Sequence, residues 1–153
     1  MEIIQALLPP QLELARALLV EYVRSLPIDL GFQRIDRELE LFPGDYTPPG
    51  GCFLLAMDPE RAAGCVAMRR WDGKTCEMKR LYTRPGYRGQ GLGRQLTLAV
   101  MRHARACGYT EMVLDTLPFM EAAAGLYLSL GFERTEPYYP SPIPGTLFMR
   151  RIL

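Results

Sequence analysis

Charge of one sign is what this sequence has least of. Its 18 lysines and arginines stand against 17 aspartates and glutamates, a net charge of +1. A nucleic-acid-binding tail or a membrane-surface patch needs a bias, so neither partner is expected. Histidine is scarce too, with His103 alone, and the four cysteines (Cys52, Cys65, Cys76 and Cys107) form no Cys-x-x-Cys pair. Zinc sites draw on several such ligands at close spacing, so no metal is expected. Reduced, buried thiols in a cytoplasmic protein are the expected state. Long apolar runs are also missing. Leu18-Leu19-Val20 sits between charged residues, far short of the roughly 20 residues that cross a bilayer. The first residues carry Glu2 and no basic stretch before an apolar one, so no secretory leader is expected.

What is present is an ordinary globular balance. Of 153 residues, 48% are hydrophobic and 23% charged, which suits one domain over residues 1–153 with a sizeable core. The chain is organised around Leu81 to Gly108, LYTRPGYRGQGLGRQLTLAVMRHARACG. An apolar strand enters, Pro85 and Gly86 turn the chain, glycines alternate with larger residues, and a helix begins. That order cradles a phosphate. Glycines let backbone N–H groups approach the anion, and the first helical turn has N–H groups without partners. The helix dipole adds roughly half a positive charge there. A P-loop would need Gly-Lys-Ser/Thr at its end, but Arg94 and Gln95 follow Gly93. A dinucleotide fingerprint would need glycine three places after Gly91, where Arg94 stands. What remains is Arg-x-x-Gly-x-Gly from Arg88 to Gly93; the plain alternative is a glycine-rich turn capping a helix.

This pattern resembles the acyl-CoA loop of the GNAT superfamily of N-acetyltransferases, Gln/Arg-x-x-Gly-x-Gly/Ala. Two further segments are similar to that family. Glu77-Met78-Lys79-Arg80-Leu81-Tyr82-Thr83 looks like the strand before the loop. Ala122 to Phe132 looks like Ala-x-x-Leu-Tyr-x-x-x-Gly-Phe, with Gly125 between Ala124 and Leu126 and Ala123 filling the alanine slot. The resemblance covers about Cys52 to Leu153, and the first fifty residues match in outline. It implies a mixed α+β fold: a central twisted sheet of about six to seven strands flanked by about four helices, with a parallel, splayed pair at the cofactor site.

The chain in order fits that outline. Glu2 to Ala6 reads as an edge strand. Pro9 and Pro10 open a helix whose Leu12, Ala15, Leu18, Leu19, Tyr22, Val23 and Leu26 share one face, and Pro27 ends it. Phe32, Ile35, Leu39 and Phe42 suggest a shorter helix, and Pro43 to Gly51 a loop. Gly51–Met57, Ala62–Trp71 and Thr75–Thr83 read as an antiparallel meander, the second turn being Asp72-Gly73. Gly91 to Cys107 is helical, with Gly108 as its stop. Its Leu92, Leu96, Ala99, Val100 and His103 share a face, so His103 reads as a packed residue. Glu111 to Thr116 is a strand, and the intervening helix makes it parallel to the strand at Leu81. Phe119–Leu130 is a helix. Phe132–Glu136 and Leu147–Ile152 form a last strand pair around the stiff aromatic loop Pro137 to Gly145.

The resemblance implies acyl transfer from acetyl-CoA to a primary amine. Backbone N–H groups of Arg88, Gly89, Gln90, Gly91, Leu92, Gly93 and Arg94 would grip the pyrophosphate, with charge from the two arginines. The pantetheine arm would lie along Leu81, Tyr82 and Thr83 like an added strand, and the Leu81 N–H is the candidate oxyanion donor. Tyr127 is the candidate acid. A phenol, with a reference pKa of about 10 against about 8.5 for a thiol, can donate to a departing thiolate. The alternative for Tyr127 is a ring packed in a core. Glu77 is the candidate base, acting through water; the alternative is an exposed carboxylate paired with Lys79 or Arg69. Tyr22, Tyr46, Tyr138 and Tyr139 are read as structural, with lining of the acceptor pocket as the alternative. The acceptor is expected to be a small-molecule amine or an amino acid. The rivals are a protein N-terminus or lysine, or a domain that holds acyl-CoA as a sensor without turnover. Homodimerisation is left open.

Overall fold

The computed structural model describes the backbone of residues 1–153 and all side chains but that of Phe32, so that part of the second-helix reading lies outside the described residues. The chain begins with an edge strand, β1 (Glu2–Gln5), and a helix, α1 (Pro9–Ser25). Prolines stand at the start of α1, and the Gln11 Oε1 accepts from the Leu7 and Leu8 N–H groups at 3.0 Å. It stops where Leu26, held extended before Pro27, leaves helical geometry. A short 3-10 turn at Leu30–Gln33 leads into α2 (Ile35–Leu41). Then come β2 (Cys52–Asp58), β3 (Arg61–Asp72) and β4 (Thr75–Thr83), the expected meander. After them run α3 (Leu92–Ala106), β5 (Glu111–Thr116), α4 (Glu121–Ser129), β6 (Glu133–Arg134) and β7 (Leu147–Ile152).

All seven strands join one sheet in the order β1-β2-β3-β4-β5-β7-β6. The central strands are buried on both faces. One face of β2 and β3 sends Cys52, Leu54, Val66 and Met68 against α3, whose Leu96, Val100 and Ala104 are sealed. The other face sends Phe53, Leu55, Cys65 and Ala67 against Leu18 and Leu19 of α1. Alternation along each strand thus builds two apolar layers. Each fully buried large side chain contributes roughly 1.5–3 kcal/mol. Cys52, Cys65 and Cys76 are buried free thiols as expected; Cys107, just past α3, is exposed.

The site depends on how β4 and β5 meet. They are parallel, but they pair only at Thr75–Glu77 with Glu111–Val113. The expected parallel, splayed pair is thus present, and by Leu81 the strands have parted. Beyond Val113, β5 continues against β7, and β4 continues against β3. A bulge in β4 accompanies the parting. The β3–β4 register steps from Ala67↔Lys79 to Cys65↔Tyr82, which gives β4 one extra residue. Within it Arg80 has a φ of 62°. A side chain in that conformation costs about 1–2 kcal/mol. The Arg80 guanidinium offsets this by donating to both Glu38 oxygens at 3.0 Å and to the Gln33 Oε1 at 2.7 Å.

Candidate active site

The loop between β4 and α3 forms one end of the site. Gly91 caps α3 with φ 78°, and Gly89 has the same φ. This left-handed conformation explains the glycines, because a Cβ at either position would meet open space but a strained backbone. The N–H groups from Gly89 through Arg94 have no acceptor among the described residues; the first closed bond of the helix runs from Gln95 N–H to the Gly91 carbonyl at 3.1 Å. Six successive backbone donors are thus left without a partner within the chain at the start of α3. The two loop arginines differ. Arg88 donates from Nε to the Thr83 carbonyl at 3.0 Å and lies over the Tyr82 ring. Arg94 is exposed at the helix start.

Where β4 and β5 part, a narrow cleft of about 50 Å³ passes through the sheet, lined by Met78 to Leu81 on one strand and Leu114 to Thr116 on the other. Leu81 faces this cleft. Tyr82 does not: its ring packs edge-on to Tyr22 in the α1 layer. Thr83 pairs with Gly64 of β3. Tyr127 of α4 lines the cleft. Its ring rests against Phe132, and its hydroxyl makes no hydrogen bond among the described residues. Burial pushes the Tyr127 phenol well above its usual value, and the nearby Tyr22 and Asp115 add to that shift. The phenol therefore stays protonated at neutral pH.

The opposite mouth faces α1, α2 and the loop before β7. Glu77 lies here, only 1% exposed rather than on the surface. Its Oε1 accepts from Arg69 Nε at 2.8 Å, and its Oε2 accepts from the Tyr138 hydroxyl at 2.6 Å. Tyr138 and Tyr139 thus do more than stiffen the loop, because Tyr139 donates to the Asp115 Oδ2 at 2.7 Å. A cavity of about 230 Å³ is lined by Gln33, Arg34, Arg69, Trp71, Glu77, Lys79 and Tyr139. It adjoins a second, of about 250 Å³, that shares Gln33, Arg34 and Arg69.

The structure brings Leu81 and Tyr127 to one cleft, sets the Arg88–Arg94 loop at the end of β4, and places Glu77 in the wall of the cavity that Lys79 and Tyr139 also line. Sequence reasoning missed Asp115, Lys79 and the Arg80–Glu38 pair. A signal existed: Asp115 interrupts the apolar run Met112–Leu117, and Lys79-Arg80 interrupts Met78–Leu81. Charges inside strands buried on both faces need a reason.

The chain matches the Acetyltransferase (GNAT) family over residues 15–132. It is 44% identical over 145 residues to an uncharacterised N-acetyltransferase of Schizosaccharomyces pombe, covering 94% of this chain and 89% of the relative. Among solved structures it is similar to an acetyltransferase from Streptococcus agalactiae, with a TM-score of 0.79 and 27% identity over 99% of this chain and 98% of that one. A GNAT family acetyltransferase from Elizabethkingia anophelis with acetyl-CoA bound shares the fold, with a TM-score of 0.67 and 22% identity over 99% of this chain and 97% of that one. A sheet opened between parallel strands beside a bare helix start is the frame of an acyltransferase. The chain belongs to the Acetyltransferase (GNAT) family.

Proposed function

We propose that this protein transfers an acetyl group from acetyl-CoA to the primary amine of a small molecule or amino acid by direct attack. The observation that carries the reading is the set of six unpartnered N–H groups, Gly89 to Arg94, at the end of the strand that lines the cleft. Such donors at a helix start suit a pyrophosphate. The structural relative with acetyl-CoA bound supports the same co-substrate. Acetyl-CoA supplies a thioester whose carbonyl carbon accepts the amine and whose thiolate leaves. Arg94, exposed beside the donors, adds charge; Arg88 adds it once it leaves the Thr83 carbonyl. The edge of β4 at Leu81 to Thr83 offers main chain to the pantetheine arm, and the Leu81 N–H serves the oxyanion. Tyr127 gives its proton to the leaving sulfur and regains one from water. Glu77, through water in the acceptor cavity, takes the proton that the amine loses. The bond formed is N–C and the bond broken is C–S; the proton that the attacking neutral amine loses through Glu77 balances the one that Tyr127 gives to sulfur and regains from water, so amide and thiol form with no proton left over.

The loop before β7 is tied to Glu77 by Tyr138 and to Asp115 by Tyr139, and Tyr139 walls the cavity beside them, a narrowing that favours a small molecule over a peptide end or a lysine on a folded protein. Thiol release with acetyl-CoA and an amine panel, backed by mass detection of the acetylated product, tests this reading. CoA binding without turnover on any amine would instead support a domain that only holds acyl-CoA.

A further inference from the structure

The face that meets the acceptor mouth holds three buried or half-buried cations, Arg69, Lys79 and Arg80, and three carboxylates, Glu38, Glu77 and Asp115. Two direct pairs form, Arg69–Glu77 at 2.8 Å and Arg80–Glu38 at 3.0 Å. That leaves Lys79 and Asp115, one on each of the parted strands, without a close ion pair of their own. The Lys79 ammonium, on β4, has a side chain only 7% exposed. Its nearest described carboxylate oxygen is the Glu77 Oε1 at 3.9 Å, an oxygen already taken by Arg69. Asp115, on β5, accepts from Tyr139 and, at 3.5 Å, from Gln33. It has no ion-pair partner among the described residues. Both line the same cleft without pairing with each other.

A buried ammonium without a close partner is costly, and so is a carboxylate held only by neutral donors. Two such groups facing one space suit an occupant that brings the opposite charge to each. The rest of the cluster is internally paired, so the best occupant has no net charge of its own. We propose that the acceptor is a zwitterionic amino acid whose ammonium end meets Asp115 and whose carboxylate meets Lys79. The cavity of about 230 Å³ beside Lys79, walled by Trp71, Tyr139 and the stem of Arg69, then receives the side chain. This rests on the amine-acetylating reading and narrows its substrate class. Burial, and the neighbouring Arg80 charge, push the Lys79 ammonium below its ordinary value, and the charges of Glu77 and Asp115 only partly oppose this.

The test uses the full-length enzyme with acetyl-CoA and matched acceptors: leucine against isoamylamine, phenylalanine against phenethylamine, and each amino acid against its amide. The expected result is a kcat/KM at least tenfold higher with the carboxylate present, carried mainly by KM. In Lys79→Met, which keeps length and apolar packing, the ratio should fall to near one. Asp115→Asn should weaken both members of a pair. Equal or better use of the carboxylate-free amines by the wild type would overturn the proposal, as would Lys79→Met lowering both members equally. If no amine releases thiol, the transfer reading fails, and binding decides the recognition claim separately. With CoA present, leucine or phenylalanine should raise Tm where the matching amine does not; no difference would overturn it.

Discussion

At the scale of single residues, Tyr127 carries the sharpest chemical claim. Its ring packs on Phe132, so Tyr127→Phe keeps the packing and removes only the donor. Acetyl-CoA affinity and Tm should stay near wild type, and kcat should fall by about ten- to a thousandfold, the scale of a positioned acid. Full kcat in stopped-time thiol assays would reduce Tyr127 to a packing residue. Glu77 is subtler, because its oxygens also hold Arg69 and Tyr138. If it neutralises the amine, Glu77→Gln should lose most kcat/KM at low pH, where free amine is scarce, and recover in part as pH rises. A variant whose pH profile runs parallel to the wild type, with a lower Tm, would make Glu77 a structural clamp alone. Glu38 gives a stability test. Burial on its own would raise its carboxyl, but the hydrogen bonds and charge of Arg80 prevail and hold it below its ordinary 4.5. A depressed carboxyl contributes stability that is fully present above the unfolded value and lost as pH falls through the folded one. Glu38→Gln should therefore flatten the acid limb of a denaturant-midpoint series. It should also cost about 3–5 kcal/mol at neutral pH, because Arg80 would be left buried and unpaired.

At the scale of elements, the bulge in β4 and the cap of α3 decide whether there is a site at all. The bulge turns β4 away from β5 just where the cleft opens, and Arg80, its strained residue, is held by α2 through Glu38 and by Gln33 just before it. The small helix α2 therefore acts on the cleft through one guanidinium. At the cap, Gly91 needs its positive φ to leave the following N–H groups bare. Gly91→Val should cost about 1–2 kcal/mol of stability, since it forces a side chain into the left-handed region. It should also remove most CoA affinity, as read by titration calorimetry. Unweakened CoA binding in Gly91→Val would mean that the phosphates are held elsewhere.

For the molecule as a whole, the reading predicts ligand-linked stability. A ligand bound only by the folded state adds RT ln(1 + [L]/Kd), about 2.7 kcal/mol at a hundred times Kd. For a chain of this size that should raise Tm by roughly 5–10 °C. CoA and acetyl-CoA should produce such a shift, and NAD and ATP should not, because the loop lacks the features their phosphates require. An equal shift with NAD would sink the assignment. Among the described residues, no helix is long and apolar enough to cross a membrane.

Much of this molecule was legible in its sequence, because local chemistry sets local structure. Alternation and turn residues placed β2, β3 and β4 within a residue or two. The glycines and the helical period placed the loop and α3, and a helix between two strands made β4 and β5 parallel. The family, and the bare glycine loop at the start of α3, followed from residues contiguous in the chain. Helix ends were blurred by fraying turns: α4 starts at Glu121, two residues past the expected Phe119. The rest needed the tertiary structure. Where β4 and β5 part is set by a bulge that no local pattern announces, because Arg80 owes its conformation to Glu38, 42 positions away. The burial of Glu77 depends on Tyr138, 61 positions away, and the partner of Asp115 on Tyr139, in a loop that periodicity leaves blank. Contiguous residues fix strands, helices and the glycine turn before α3 through short-range sterics and hydrogen bonds. The charged cavity beside Glu77 and Lys79 is made of groups brought together from distant segments, and only the fold decides which of them find partners.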